Sequence, residues 1–466
     1  MLHRIDGDCI VEGLENGMSF DWNRWGWWLA APAVAAAAGA LVPSHGLLIV
    51  AAMAGAGLAV FAAHKPDTAI VFWLVVVAVV PSWTEFYGLG FGLPPAALGV
   101  PIVVGILGAS YLGKNPVRIG WVDGALAAAS ILVLFLSLTG ELHGVVFVRD
   151  LLVLWILAYV LGRNSTARVT SSFALIMAGV ALWGIVEFLS GMHLFVDWMP
   201  GANQTLNAIQ VRSGVARSEA AFGHAIAYGA SLAMAIPFAQ QLRKGAVAVQ
   251  IVLALGIVAS LSRGPLLALA VTFALTAWVL ASHPALRLRY MLLTLVGGAT
   301  VYFVLGRLYS GVDSDQVAGS GEMRINQYDA IGGSLHWLSS ALEFTGVNQT
   351  PLVNGILVID STPLRLAANF GIIAAVLFAV PVLIALARVI GRKAGPASVA
   401  LAGQIPVLAV TSFITQWQVL IFFAMGLVAT EVMQDRIAPS LQSRSETDRV
   451  PRAVDHVAAE SVPAVR

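Results

Sequence analysis

The chain has 466 residues, of which 58% are hydrophobic and only 11% are charged, and its formal net charge is +1. A soluble protein usually carries about 25% charged residues, so a soluble globular enzyme is excluded. The near-zero net charge also gives no basis for nucleic-acid binding through an overall basic field. The single cysteine excludes an intramolecular disulfide and a cysteine-based metal site.

The first element in chain order is a polar and acidic tail, residues 1–25, which lacks the basic start and apolar core of a signal peptide. Fourteen apolar spans follow, and a polar tail, residues 434–466, is predicted to be disordered. Several spans have only about 16–18 residues, which is short for a bilayer. The pattern predicts an all-α polytopic membrane protein with about 12–14 transmembrane helices. The predicted spans are 26–42, 46–63, 68–83, 96–113, 121–139, 143–162, 168–189, 222–241, 245–261, 263–281, 289–308, 364–387, 397–414 and 417–433.

Lysine and arginine are distributed unequally between the two sides of the predicted membrane. If both tails are cytoplasmic, most of the 26 basic residues, including all the lysines, fall on the inner side, as membrane topology usually requires. Guanidinium is planar, permanently charged and bidentate, so it suits a diphosphate better than ammonium does. These charges predict an outward-facing site for a phosphorylated lipid. The outer basic residues are all arginine: Arg149, Arg212, Arg217, Arg263, Arg307, Arg324 and Arg365.

Two of the predicted outer loops are long, at about 190–221 and 309–363, and long loops in a compact protein are usually functional or disordered. In the second loop, apolar residues recur at helical spacing between Tyr328 and Leu342. This spacing predicts an amphipathic helix. It either lies on the membrane surface over the mouth of the bundle or packs on its own loop.

The sequence SLSRGP at 260–265 joins two spans with almost no loop and carries Arg263. A charge so close to the membrane is costly and usually has a partner or a ligand. Gly264 and Pro265 suit a helix start, whose amide groups would favour an anion. The alternative is an arginine that extends from a helix end into the interface.

The run from Arg217 to His224, RSEAAFGH, comes directly before another span. Arg217 is a second candidate phosphate contact, and Glu219 and His224 are candidate proton acceptors. A lone histidine at the edge of a span is more often a hydrogen-bonded structural residue, and that alternative stays open for His224.

The third candidate is VIDSTPLRLAANFG at 358–371, in which Ser361, Thr362 and Pro363 form a helix-start pattern. Asp360 then lies just outside the helix. It is either a carboxylate base at the membrane surface or a charge that complements the helix dipole. Arg365, about one turn later, could keep that carboxylate ionised or bind phosphate.

Several common catalytic motifs are absent from the sequence. It contains no Walker loop after a strand, no HExxH and no His/carboxylate cluster at metal spacing. We therefore expect phosphate chemistry that uses arginine instead of Mg²⁺ and needs no cofactor. The charges within spans lie near predicted outer ends rather than at the bilayer midplane, which argues against an ion-coupled transporter.

Together these motifs resemble the O-antigen ligase and polymerase superfamily of bacterial envelope glycosyltransferases. The resemblance covers about residues 205–375. It rests on the Arg217–His224 run, the SRG turn at 262–264, the arginine in GEMRINQYDA at 321–330 and DSTPLRLAANFG at 360–371. It implies a GT-C-like membrane fold with a long outward loop late in the chain, in the bacterial inner membrane.

The resemblance also implies substrates and roles. The donor would be an oligosaccharide on undecaprenyl diphosphate, the acceptor a glycan, and the site would face the periplasm among membrane lipids. Other polysaccharide export and chain-length proteins are implied partners. Arg217 and Arg263 match the family's diphosphate-binding arginines, with Arg324 and Arg365 as further candidates. Asp360 stands where the ligases commonly have histidine, which favours a polymerase of O-antigen or exopolysaccharide repeat units.

Other functions stay open at this point. One is an O-antigen ligase acting on lipid A-core. Another is a transporter of lipid-linked glycans or solutes, which should show polar residues at the midplane. A third is a non-catalytic envelope assembly protein, which should tolerate loss of Arg263.

Overall fold

The computed structural model describes residues 46–85, 92–113, 119–139, 145–198, 209–212, 214–281, 284–309, 326–345 and 350–447. Helices dominate this part of the chain because its long apolar segments satisfy their backbone hydrogen bonds internally. The α-helices are Gly46–His64, Pro66–Val79, Gly99–Leu112, Trp121–Leu138, Val145–Arg149, Leu157–Arg163, Ala167–Ser190, Leu194–Trp198, Ala225–Ala235, Ala246–Ala259, Arg263–Leu275, Pro284–Tyr309, 326–332, Thr362–Phe370, Ile372–Ile390, Pro396–Ala402, Ile405–Val410 and Thr415–Thr447.

Six helical segments are long and apolar enough to cross a membrane, and four further apolar helices are shorter. The expectation of a helical, membrane-embedded protein is therefore confirmed at this level. The count of 12–14 spans, the GT-C-like arrangement and the choice of membrane stay predictions. The six long segments are Pro95–Leu112, Trp121–Leu138, Ala167–Ser190, Arg263–Leu280, Ile372–Ile390 and Thr415–Arg436.

Two predicted spans are interrupted. The span expected at 364–387 is divided at Gly371, whose φ of +85° favours glycine, so Arg365 lies on a separate short helix. The span expected at 397–414 consists of Pro396–Ala402 and Ile405–Val410 and is followed by a non-helical stretch. The last helix continues past the predicted end at 433 to Thr447. The predicted span 26–42 lies outside the described residues.

Two stretches of π-helix widen otherwise α-helical segments. Asp150–Ile156 connects Val145–Arg149 to Leu157–Arg163, and Thr276–Leu280 continues the helix that starts at Arg263. A π-turn holds one residue more than an α-turn and occurs often at functional sites. The first π-helix carries Trp155, which stacks on Phe422 at a centroid distance of 5.0 Å.

Strands occur only as two short antiparallel hairpins within the described chain, and both lie in the predicted outer loops. Val211–Arg212 pairs with Val215–Ala216, and Glu343–Thr345 pairs with Thr350–Leu352. The amphipathic helix predicted from Tyr328 to Leu342 ends at residue 332, where Gly332 and Gly333 follow one another. Glycine lowers helix propensity by about 1 kcal/mol, which accounts for this early end.

Hydrogen bonds between element ends define two ends of the bundle. At one end, which we call the arginine end, Ser218 donates to Gly184 O (2.6 Å) and Thr362 donates to Thr411 O (2.6 Å). At the opposite end, Thr430 donates to Arg163 O (2.8 Å). The outward-facing sites predicted from the sequence lie at the arginine end. The described parts of the predicted inner loops lie at the opposite end.

Candidate functional site

The turn between Ala259 and Arg263 receives two arginines from a neighbouring loop. The Nε–H of Arg217 donates to Ser260 O (3.1 Å), and its guanidinium also donates to the Ser262 hydroxyl. Arg212 donates from Nη1 to Leu261 O (3.1 Å). Two separate arginines therefore hold consecutive residues of this turn.

Arg263 is the first residue of the helix that follows the turn, and Ser262 is its N-cap. A Cβ on Gly264 would lie 3.8 Å from Val407, which is an ordinary van der Waals contact, so the packing on the Ile405–Val410 helix does not require glycine here. The sequence prediction that this arginine begins a helix is confirmed. The side chains of two arginines reach the turn that leads into this helix start. Together with the first helix residue they form what we call the arginine cluster: Arg212, Arg217 and Arg263.

The short hairpin explains why Arg212 and Arg217 reach the same turn. Gly214 has a φ of +77°, which favours glycine and reverses the chain between the two strands. The Arg217 N–H then donates to Gln210 O (2.9 Å), and the Ser218 N–H donates to Ala259 O (3.2 Å). Backbone hydrogen bonds therefore attach the hairpin to the turn independently of the guanidinium bonds.

Backbone strain is concentrated at the arginine end. Four of the five non-glycine residues with positive φ in the described chain lie there: Ala220 (46°), Leu261 (47°), Asn354 (47°) and Thr415 (43°). Such conformations cost about 1–3 kcal/mol each, and they persist where surrounding contacts force them, often at ligand sites. The strain at Leu261 supports the 260–263 turn as a candidate site.

Two carboxylates lie beneath the arginine cluster. Glu187 pairs with His193 and accepts the Ala220 N–H (2.9 Å). Glu219 is only 3% exposed, and burial, together with the nearby charge of Glu187, raises its pKa to about 8. Glu219 is therefore mainly protonated at pH 7 and leaves the positive charge of the cluster in place, which favours an anionic ligand.

Glu219 and His224, the other two predicted proton acceptors, are buried or engaged in the fold. Glu219 is buried and protonated at neutral pH. His224 caps the Ala225–Ala235 helix, because its Nδ1 accepts the Ile226 N–H (3.2 Å). Burial, with a smaller contribution from Arg217, lowers the pKa of His224 to about 4.

Asp360 lies in the segment before the Thr362–Phe370 helix, as predicted, and its side chain is half-buried. Ser361 is the N-cap residue, so Asp360 does not cap the helix itself. The Asp360 N–H donates to Gln327 Oε1 (3.1 Å), and Gln327 Nε2 donates to Val358 O (2.9 Å). The 326–332 helix thereby fixes the backbone that presents the Asp360 carboxylate.

Arg365 is placed near a charged group that the sequence did not associate with it. Its Nη1 donates to the Ser412 hydroxyl (3.2 Å), and it interacts electrostatically with Asp150. Arg149 pairs with Asp150 (3.0 Å) and with Glu85 (3.1 Å). These oppositely charged groups fit a structural network at the arginine end better than a second phosphate site.

A connector, residues 403–414, links the separate parts of the arginine end. Tyr328 OH donates to Ala409 O (3.3 Å), and Thr362 and Arg365 bond to its last residues. Gln416, just after the connector, donates to Ala221 O (2.7 Å) beside the arginine cluster. The Asp360 region and the arginine cluster are thus joined through this one segment.

The sequence does not predict the connector, because its apolar residues resemble part of one continuous transmembrane span. The signal that was available is a set of polar residues within that span: Gln404, Thr411 and Ser412, all buried. Gln404 Nε2 and Thr411 Oγ1 have no hydrogen-bond partner among the described residues. Buried, unsatisfied polar groups cost about 1–3 kcal/mol each, so apolar packing alone does not explain this segment.

The remaining predicted site residue, Arg324, lies outside the described residues. Within the described chain, no group of three or more His, Cys, Asp or Glu residues is placed to hold a metal ion. Comparison of the chain with protein-family models, with curated proteins and with solved structures found no match.

Proposed function

We propose that this protein transfers a glycan from undecaprenyl diphosphate to an acceptor sugar at its arginine end, and that this end faces away from the cytoplasm. The observation that carries the proposal is that the side chains of Arg212 and Arg217 both reach the turn that leads into the helix start at Arg263. Guanidinium groups and helix N-terminal amides both stabilise phosphate oxygens. A membrane-embedded protein meets a diphosphate most readily on a lipid.

The proposed reaction is a displacement with inversion at the anomeric carbon. The acceptor hydroxyl oxygen forms the new bond to that carbon while the bond to the diphosphate oxygen breaks. The electron pair leaves with the diphosphate, whose developing charge the arginine cluster stabilises. The hydroxyl proton passes to the Asp360 carboxylate, so atoms and charges balance without a cofactor.

Asp360 favours polymerisation of O-antigen or exopolysaccharide repeat units over ligation to lipid A-core, because the resembling ligases commonly carry histidine at this position. Its half-buried side chain also supports the role of base, whereas Glu219 is buried. Arg365 is better suited to positioning through Ser412 than to direct phosphate binding.

A transporter of lipid-linked glycans is the second candidate, and one observation favours it. The Pro396–Ala402 and Ile405–Val410 helices form an interrupted helix with buried polar residues near the break. Interrupted helices commonly form substrate sites in transporters. The same break also serves the transferase proposal, because it lets the connector reach both parts of the site.

The test is glycan transfer by purified protein in nanodiscs, with lipid-linked oligosaccharide and EDTA. Arg217→Lys should lower turnover strongly, since one ammonium cannot reproduce the two bonds that the guanidinium makes to Ser260 and Ser262. Arg263→Lys should be nearly as harmful as Arg263→Ala. The matched control is Arg168→Lys, an exposed arginine at the opposite end, which should leave turnover unchanged.

Three results would contradict the proposal. Full turnover in Arg217→Lys and Arg263→Lys would show that the arginine cluster contributes only a general positive electrostatic potential. A wild-type requirement for added Mg²⁺ would rule out the metal-independent reaction. Movement of the lipid across the bilayer without covalent transfer would establish the transporter instead.

A further inference from the structure

An apolar cavity of about 500 Å³ lies between the Thr276–Leu280 π-helix and the start of the Pro284–Tyr309 helix, at the opposite end of the bundle. Most of its lining is alkyl, including Ala277, Leu288 and Met291. Thr294 also lines it, but its hydroxyl already donates to Tyr290 O (2.8 Å). The cavity walls therefore suit a hydrocarbon chain and offer little to a polar solute.

One arginine lines this cavity, and a second stacks on a residue of its wall. Arg287 belongs to the lining and its side chain is exposed. Trp278 also lines the cavity, and the guanidinium carbon of Arg392 lies 4.1 Å from the centre of the Trp278 ring. This stacking holds a second positive charge against Trp278, a residue of the cavity wall.

The backbone at Arg392 is unusual in a way that supports a functional role. The Ile372–Ile390 helix ends with the Arg392 N–H donating to Val389 O (3.1 Å) and the Lys393 N–H donating to Arg388 O (2.9 Å). This motif places Arg392 in the left-handed region, at φ 54°. Glycine is preferred at such a position, yet here the preceding Gly391 adopts a negative φ and the arginine takes the disfavoured conformation.

The acidic side chains described at this end have other partners. Arg388 pairs with Asp435 (2.7 Å), and Arg163 pairs with Asp123 (3.3 Å). Glu431 accepts the Ala397 N–H (2.7 Å), and Asp67 accepts the Thr166 hydroxyl (2.8 Å). None of these carboxylates lines the cavity, so its mouth carries net positive charge among the described residues.

We infer that this cavity is a binding site for an anionic phospholipid. One acyl chain occupies the apolar space between the two helices, and the headgroup phosphate binds Arg287 and Arg392. Basic pockets between transmembrane helices are known to hold anionic lipid headgroups. A zwitterionic lipid would gain the same apolar contacts but less from the two arginines, so the site should select for negative charge. This inference does not depend on the proposed function.

Native mass spectrometry of the purified protein, with phosphatidylglycerol or phosphatidylcholine of the same acyl chains, tests the site. Wild type should retain phosphatidylglycerol preferentially. Each arginine near a headgroup contributes about 1 kcal/mol, so Arg287→Gln or Arg392→Gly should weaken phosphatidylglycerol binding about fivefold, and the double variant about 25-fold. Arg243→Gln, an exposed arginine at the same end outside the cavity, is the matched control and should have no effect.

Arg392→Gly is informative because glycine suits the left-handed backbone at φ 54°, so the variant should fold at least as well as wild type. Arg392→Asn provides a second variant that tolerates the same conformation. Ala274→Trp, which fills the open side of the cavity, should reduce binding of both lipids. Equal retention of the two lipids by wild type, or an equal loss in Arg243→Gln, would overturn the inference in favour of an ordinary lipid-facing surface.

Discussion

Glu219 lies beneath the arginine cluster with its side chain 3% exposed, and its pKa is raised to about 8, first by burial and then by Glu187. The sequence shows only an acidic residue two positions after Arg217, which reads equally well as a base or as an ion-pair partner. The structure distinguishes these two interpretations because it shows that the Glu219 side chain is buried. A carboxyl group that is neutral at pH 7 preserves the positive charge on which an anion site depends.

The raised pKa of Glu219 predicts a pH dependence of stability. A folded-state pKa above the ordinary value of 4.5 contributes stability that is fully present below pH 4.5 and is lost as the pH rises through about 8. Glu219→Gln, which mimics the protonated group, should therefore match wild type near pH 5 and unfold at a higher temperature near pH 9. The gain should be about 1 °C for each kcal/mol of ionisation cost removed, because the unfolding entropy grows with chain length.

Thermal unfolding in detergent between pH 5 and 9 measures this difference. Asp329→Asn, at an exposed carboxylate, is the control and should show no pH-dependent gain. His224 contributes with the opposite sign. Its pKa is lowered to about 4, so its stabilisation is present above about pH 6.5 and is lost as the pH falls through 4. A constant offset between Glu219→Gln and wild type across the whole range would show that Glu219 is not ionising within it.

Asp360→Asn separates a chemical role from a structural one. The described bond at this residue uses its backbone N–H, which the substitution leaves intact, and Ser361 rather than Asp360 is the N-cap. Folding should therefore survive while glycan transfer falls by about 10²–10⁴-fold, the usual contribution of a positioned base. Binding of the lipid diphosphate, measured separately, should be unchanged or slightly tighter because a negative charge is removed. Turnover equal to wild type would exclude Asp360 as the base.

At the scale of elements, the helices could be predicted and their interruptions could not. Apolar runs long enough for a membrane must form helices, so the segments ending at Ser190 and starting at Arg263 lie where the sequence predicts them. The breaks at Gly371 and at the connector depend on contacts from distant parts of the chain. Gly371, for example, approaches Trp337 so closely that a Cβ would lie 2.8 Å from its carbonyl oxygen. The residues on either side of Gly371 in the sequence do not indicate that such a neighbour is present.

The same limit applies to the candidate site. The arginines of the cluster and Asp360 were identified because their residue types stand out in apolar surroundings. The polar residues that connect the elements around them, such as Gln327, Ser412 and Gln416, are common residue types without a motif. The strained positions Ala220, Leu261 and Thr415 were also missed, because positive φ is recognisable in sequence mainly when glycine occupies it.

Close helix packing gives a prediction at this scale. The Leu157–Arg163 and Thr415–Thr447 helices cross where both carry glycine. A Cβ on Gly162 would lie 2.0 Å from Phe423 O, and one on Gly426 would lie 2.2 Å from Tyr159 O. Gly162→Ala should therefore destabilise the protein by about 1–3 kcal/mol, as overpacking usually does. Gly124→Ala, a helical glycine with nothing within 4 Å of the added carbon, should be neutral or stabilising. Unfolding temperatures of the two variants in detergent provide the comparison, and equal temperatures would mean that the crossing can open without cost.

At the scale of the whole molecule, the arginine end and the opposite end differ in their basic residues, and this difference predicts the orientation. Lys65, Lys244 and Lys393 all lie at the opposite end, which should face the cytoplasm by the positive-inside rule. Cysteines placed at the exposed positions Val211 and Leu357, in a chain with Cys9→Ser, should react with an impermeant thiol reagent in cells permeable only at the outer membrane. A cysteine at Lys244 should be protected. The reverse pattern would invert the topology and remove the periplasmic transferase.

The π-helix at Asp150–Ile156 can be regarded as an α-helix that has accepted one additional residue. Deletion of a single residue there would restore ordinary α-helical winding. It would also rotate everything on the Val145 side by about 100° relative to Leu157–Arg163. Arg149 and Asp150 would then turn away from Glu85 and Arg365, while the helix remained apolar and continuous. The relation between the two ends of this helical segment is thus set by the number of residues it contains, and a one-residue difference in length is enough to change which side chains meet at the arginine end.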